Sequence, residues 1–291
     1  MIRKYTSIAM LLVAALMLTA CGGAGGAGNN QANVANTFDS NHVIAVYTRE
    51  DGSGTRDAFV SVTGVGDNMY GEAGVENDTA GVRTKVEGNP YAIGYVSAGS
   101  LNDNVKALGI NGVSPSDATI MDGSYTLQRP LLVCINEESA KVDLVQDFIT
   151  FMLSSEGQDI SATSWTKVDV GAPAYATRGL SGTLKVGGST SVEPLMQRLR
   201  EAYIVHNPGV VIEISGGGSG TGISEATSGV IDIGMSSRSL RDNEKEALQD
   251  INIALDGVAV IVNTSNPAAN MTLEQVKAVY TGETTKWSDI K

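Results

Sequence analysis

Thr48-Arg49-Glu50-Asp51-Gly52-Ser53-Gly54-Thr55-Arg56-Asp57-Ala58-Phe59 is the stretch on which the fold turns. It follows the alternating apolar run His42-Val43-Ile44-Ala45-Val46-Tyr47, which reads as a strand, and precedes Ala58-Phe59-Val60, which suits a helix. Between them Gly52 and Gly54 let the backbone bend sharply and approach a ligand, while Ser53, Thr55 and the first helical amides offer donors. Such a helix N-terminus suits an anion. Arg49, closing the strand, adds a charge with a planar fork of donors, and Asp51 is placed to brace that fork. A glycine turn beside a solvated arginine is the alternative.

The chain has 291 residues, enough for two lobes with separate cores. Its 34 glycines and 5% aromatic residues suit an α/β protein with many tight turns. Basic minus acidic residues give 20 − 32 = −12, which argues against nucleic acid as a partner, since phosphate backbones need clustered positive charge. An anionic ligand would have to be held by local dipoles and one or two arginines, against the net field.

Residues 1–20 have the layout of a secretory signal: Arg3 and Lys4, an apolar run from Ile8 to Leu18, then Leu18-Thr19-Ala20-Cys21. Leu-x-Ala-Cys directly after the run is similar to a bacterial lipobox, which makes Cys21 the expected lipidation site and places the protein outside the cytoplasm on a membrane anchor. A transmembrane helix is the alternative, but a span needs about 20 apolar residues. Loss of residues 1–20 leaves a net charge of 18 − 32 = −14. Residues 21–39, rich in Gly, Ala and Asn, read as a flexible tether. Cys134 is then the sole other cysteine, so no internal disulfide is available. Its apolar neighbours predict a buried, inert thiol.

Along the chain, 61–77 reads as mostly surface, 79–86 as a short helix, 91–96 as a strand and 115–123 as a loop. Leu131 to Ile135 reads as a buried strand. Val145, Phe148, Ile149 and Met152, at i, i+3, i+4 and i+7, predict an amphipathic helix extending to about Ile160. Residues 167–182 read as a linker. Beyond it a strand, a glycine turn and a helix recur: 184–186 with a helix over 192–203, then 210–214 with a helix from Ile223, then a strand over 230–234. Residues 253–262 form a long apolar strand, and Thr272-Leu273-Glu274-Gln275 is a capping box opening a helix to about Tyr280.

Four Gly/Ser/Thr turns after strands fit ligand binding at the carboxyl ends of strands. None has G-x-x-x-x-G-K-[ST] or G-x-G-x-x-G, and Gly217-Gly218-Ser219-Gly220-Thr221 lacks the last glycine of a nucleophile elbow. His42 and His206 have no triad setting and read as surface residues, and two histidines with one cysteine give no zinc spacing. No enzyme, metal or cofactor is expected.

Gly188-Ser189-Thr190-Ser191-Val192-Glu193-Pro194-Leu195, Ser215 to Gly222, Asp232-Ile233-Gly234-Met235-Ser236-Ser237-Arg238, Leu255-Asp256-Gly257-Val258-Ala259-Val260 and Arg49 to Phe59 together resemble the phosphate-binding proteins of bacterial ABC phosphate transporters. The resemblance covers nearly all of the chain beyond residue 40. The block order differs: in the usual family arrangement the block 182–291 comes first and the block from His42 to about Val168 follows. This looks like a circular permutation, with Trp287 to Ile290 running straight into Val43 to Val46 in the usual chain, and it accounts for the abrupt end at Lys291.

The resemblance implies a two-lobe, type II periplasmic-binding-protein-like α/β fold in permuted order, with the ligand cleft between lobes. Crossover strands are expected near 125–131 and 258–264. Lobe one would be residues 128–262, and lobe two would join 40–127 with 263–291. It also implies phosphate contacts from Thr190, Ser191 and Ser219 in one lobe and Arg49, Ser53, Gly54 and Thr55 in the other. Where the best-known members carry an aspartate that accepts the proton of bound phosphate, this chain has Ser237. The implied function is capture of inorganic phosphate and delivery to ABC permease subunits. Binding of another oxyanion, or phosphate sensing or adhesion without transport, are the alternatives.

Overall fold

The computed structural model describes residues 38–168 and 171–290; the expected signal, Cys21 and all but the last two residues of the expected tether lie outside them. Strand β1 (Ala45–Arg49) runs into helix α1 (Gly54–Thr63), followed by β2 (Gly74–Glu76), α2 (Thr79–Glu87) and β3 (Ala92–Ser97). Short strands β4 (Val105–Ala107) and β5 (Gly109–Ile110) lead through α3 (Asp117–Met121) to β6 (Gln128–Ile135), α4 (Asp143–Met152) and α5 (Ser155–Ser161). Then come β7 (Ser181–Gly188), α6 (Glu193–His206), β8 (Gly209–Gly216), α7 (Ser219–Ser228) and β9 (Ile233–Ser236). The last elements are α8 (Asp242–Lys245), β10 (Gln249–Asn263), β11 (Asn270–Met271) and α9 (Leu273–Tyr280).

The main sheet has the order β2-β1-β3-β10-β6-β9-β7-β8, with β4 also on β10, and β5 pairs with β11 apart from it. At one side β1 is parallel to β2 and β3, and at the other β7 is parallel to β8 and β9. The 15-residue β10 joins them: its first part pairs antiparallel with β6, and Val258 to Val262 pair antiparallel with β3. The apolar contacts divide along the same strand. Ile253 and Ala254 belong to a core with β6, β7, α4 and α6, whereas Val258, Val260 and Val262 belong to one with β1, β3, α1 and α9.

The helical spacing at Val145, Phe148, Ile149 and Met152 does bury one face of α4. Asp147 on the same helix is buried as well, because Tyr175 and Tyr203 donate their hydroxyls to it at 2.6 and 2.7 Å. The helix does not continue to Ile160: it ends at Leu153, and Ser154 caps α5 by accepting from Gly157 N–H at 3.2 Å. Residues 115–123 are not all loop, because Ser116 and Thr119 make a capping box that opens α3. The helices α1 and α7 start at Gly54 and Ser219, earlier than their apolar residues suggest, and the strand expected over 230–234 is β9, three residues later. Within 61–77 Val65 is fully buried and β2 adds a strand.

The capping box at Thr272 is present, with Gln275 N–H donating to Thr272 Oγ1 and Thr272 N–H to Gln275 Oε1. Cys134 is fully buried, and burial pushes its thiol up to about 12. His42 is exposed and stacks on Tyr91, and His206 meets Glu156. The two ends of the described chain lie together: Ile44 N–H donates to the Thr285 carbonyl at 2.8 Å, Ser288 N–H to that of Ser40 at 2.6 Å, and Val43 bridges Lys286.

Candidate functional site

Arg49 closes β1 on one side of the sheet, and on the other the mutually parallel β7, β8 and β9 end in the turns that carry Thr190, Ser219 and Ser237. Carboxyl ends of strands in α/β sheets leave loop amides and following helix N-termini free for ligands. In the first turn Ser53 caps α1, accepting from Arg56 N–H at 3.3 Å, and Asp57 N–H donates to the Ser53 carbonyl. The amides of Gly54 and Thr55 are left to the site by this cap. Ser53, Gly54 and Thr55 are all buried.

The expected residues converge. Thr55 Oγ1 and Ser191 Oγ share a hydrogen bond of 2.7 Å across 136 residues of sequence. Arg49 Nη2 donates to Thr190 Oγ1 at 3.1 Å. Ser237 N–H donates to Ser219 Oγ at 3.1 Å, and the two serine hydroxyls are 3.4 Å apart. Gly54 packs directly on them: a Cβ there would overlap Ser219 Oγ and come within 2.8 Å of Ser237 Oγ. Glycine is thus required by close approach at this position.

Asp51 is the exception. Its exposed carboxylate pairs with Arg56, and the fork of Arg49 is held instead by Glu50, with Nε and Nη2 each donating to a carboxylate oxygen at 2.8 Å. Both acids lie within two residues of Arg49, so spacing does not distinguish them; the β1 register and the turn at Gly52 send Glu50 inward and Asp51 to solvent. The remaining Arg49 donors reach the carbonyls of Glu76 and Asn77 and Thr79 Oγ1. A bidentate pair with Glu50 offsets the Arg49 charge, so the guanidinium acts here mainly as an oriented donor.

Three participants were not marked by motif. Thr79, first residue of α2, lies 3.1 Å from Ser191 Oγ. Arg129 is buried and sits beneath both sides, its Nη1 donating to Thr55 Oγ1 at 2.8 Å and to the Ser237 carbonyl at 3.3 Å, with Nε and Nη2 on Asp256. Burial pulls the Arg129 guanidinium down from its ordinary value, opposed by Asp256. Tyr95 accepts from Arg49 N–H and shares a 2.7 Å bond with Thr48; burial raises its phenol. The one signal that could have found Arg129 is a charged residue at the head of the apolar run Pro130 to Ile135.

The arrangement is a dense set of hydroxyls and helix-end amides around two neutralised arginines. It can hold a compact, multiply acceptor-bearing oxyanion without a large net charge of its own. A cavity of about 410 Å³ opens beside it, lined among others by Thr79, Thr190, Arg83 and Glu193. Among the described residues no three His, Cys, Asp or Glu groups are placed to share a metal ion, and no helix is long and apolar enough to cross a membrane.

Known proteins share this fold. The chain matches the PBP superfamily domain over residues 29–156 and 173–291. It is 40% identical over 298 aligned residues to the phosphate-binding protein PstS 2 of Streptococcus pneumoniae (TIGR4), covering 99% of each. The crystal structure of a phosphate ABC transporter, phosphate-binding protein, from S. pneumoniae TIGR4 matches with a TM-score of 0.71 and 42% identity, covering 86% of this chain and 100% of that one. The phosphate-binding protein PstS of Bacillus subtilis aligns over 113 residues at 31% identity, 38% of each chain.

Proposed function

The chain belongs to the PstS phosphate-binding family of the PBP superfamily, and from that membership we propose that it captures inorganic phosphate outside the cytoplasm and delivers it to the permease of an ABC transporter. The observation that carries this reading is the convergence of Arg49, Ser53, Gly54 and Thr55 with Thr190, Ser191, Ser219 and Ser237 at four strand ends. Phosphate oxygens take the place of the hydroxyl-to-hydroxyl bonds, accepting from the Thr55, Ser191 and Ser219 hydroxyls, the Arg49 donors that reach Thr79 and Thr190, and the amides at the starts of α1 and α7. Donation to an ionised oxygen is roughly twice as strong as between neutral groups, so the exchange favours the bound state.

The binding turns come from two lobes, residues 128–262 and residues 40–127 with 263–291. The division of the apolar contacts along β10 supports this. An anion contacting both sides favours their closed arrangement by its differential contacts. The block order is a circular permutation of the usual one. Overlap with the B. subtilis protein over little more than a third of each chain is the result such a rearrangement gives, because one collinear alignment can follow a single block. Cys21 carries a lipid anchor; a native membrane extract in which mass spectrometry finds Cys21 unmodified would remove that part.

One observation favours a second reading, binding of another oxyanion. The fully buried Ser237 brings a hydroxyl, which both donates and accepts, to the place where the family's best-known members have an acceptor-only carboxylate. Calorimetric titration with phosphate, sulfate and arsenate decides. Saturable heat with phosphate, at a midpoint no weaker than that for sulfate, is expected; sulfate binding with none for phosphate would reverse the assignment.

A further inference from the structure

We propose that Asp57, Arg238, Arg241 and Glu244 form an ionic latch across the anion site, and that Asp57 and Arg238 are positioning residues that set how long the anion stays bound. The inference rests on the anion-binding reading above. Asp57 lies in the first turn of α1, two residues after Thr55, and Arg238 directly follows Ser237. Their side chains meet: Arg238 Nε is 2.9 Å from Asp57 Oδ2, an ion pair whose N–H is not aligned as a hydrogen bond, and Arg241 Nη2 donates to the same oxygen at 3.0 Å. Arg238 Nη1 and Nη2 also grip Glu244 at 2.7 and 2.8 Å, and Arg241 N–H donates to Glu244 at 2.7 Å.

Short covalent links join the latch to the ligand turns. Gly54, three residues before Asp57, packs on Ser219 and on Ser237, the residue before Arg238, so parting Asp57 from Arg238 also parts Gly54 from Ser237. A cavity of about 260 Å³ at this seam is lined by Asp57, Arg129 and Arg238 and shares no lining residue with the cavity beside Thr79 and Thr190. The latch therefore ties the site together along a separate border. Arg238 is 8% exposed, so its contacts are screened less than those of a surface pair. Two acids and two arginines balance, so the group neither attracts nor repels an incoming anion. Its effect falls on escape rather than capture.

The test compares wild type, Asp57→Asn and Asp57→Glu. Phosphate association and dissociation rates are read by stopped-flow at low and high salt, and hydrogen–deuterium exchange is read without ligand. Asp57→Asn should dissociate phosphate about tenfold faster or more, with association changed less than about threefold and the salt dependence of dissociation reduced; Asp57→Glu should recover part of the loss. Without ligand, exchange over residues 52–58 and 236–241 should rise together in Asp57→Asn. Unchanged dissociation and exchange in Asp57→Asn would overturn the latch. So would faster dissociation with a general loss of stability that Asp57→Glu does not recover. Failure of wild type to bind phosphate would overturn the proposed ligand, while the exchange measurement still decides the latch.

Discussion

Ser237 concentrates the selectivity question in one side chain. It is fully buried, 3.4 Å from Ser219 Oγ and packed against Gly54, and its carbonyl accepts from Arg129. A carboxylate at this point accepts the proton of protonated phosphate but faces fully ionised sulfate with acceptor against acceptor. Ser237→Asp is expected to preserve or tighten phosphate binding while weakening sulfate by about tenfold or more, roughly 1.4 kcal/mol. Competition titration from about pH 5 to about pH 8, bracketing a phosphoryl second pKa of about 6, checks it. An unchanged preference removes position 237 as the discriminator. That Arg49 ends a strand and that Ser53 and Thr55 stand at a helix start was legible, because a strand–turn–helix pattern needs no long-range information. Glu50 against Asp51 was not, since both are acids beside Arg49 and only the direction of the turn assigns them.

Among the elements, the junction of α4 and α5 is the place where periodicity fell short. Apolar spacing identified the buried face of α4 but carried the helix onward, whereas the chain turns a corner at Leu153 and Ser154. Gly157 makes the corner fit: a Cβ there would overlap the Phe151 carbonyl and lie 2.6 Å from that of Met152. Gly157→Ala is expected to destabilise the fold by about 1–3 kcal/mol, as overpacking does, with phosphate affinity little changed. Denaturant unfolding at constant slope measures the first and titration the second; wild-type stability would show that the corner relaxes freely. The same limit hid α3, whose Ser116 and Thr119 form a cap that resembles loop composition from Ser, Pro and Gly content alone.

At the scale of the molecule, β10 carries both halves of the sheet, and residues 40–44 lie on residues 285–288. If the block order is a circular permutation, the ends can be joined and the chain opened elsewhere with little loss. A chain beginning at Asp169, running to Lys291, continuing at Asn41 and ending at Val168 is expected to fold and to bind phosphate with wild-type affinity. A folded product without binding would show that the present order is needed for the site. What the sequence determined by itself was local: strand–turn–helix units from alternation and glycine, hydroxyls placed at helix starts, and a family from several motifs together. What tertiary structure alone decided was which charges oppose one another. Arg129 and Asp256 are 127 residues apart, as are no residues that any periodicity links, and Asp57 meets Arg238 only because two distant strand ends close on each other. Ion pairs of this kind depend on distance in space, which burial and sheet order fix and residue spacing does not.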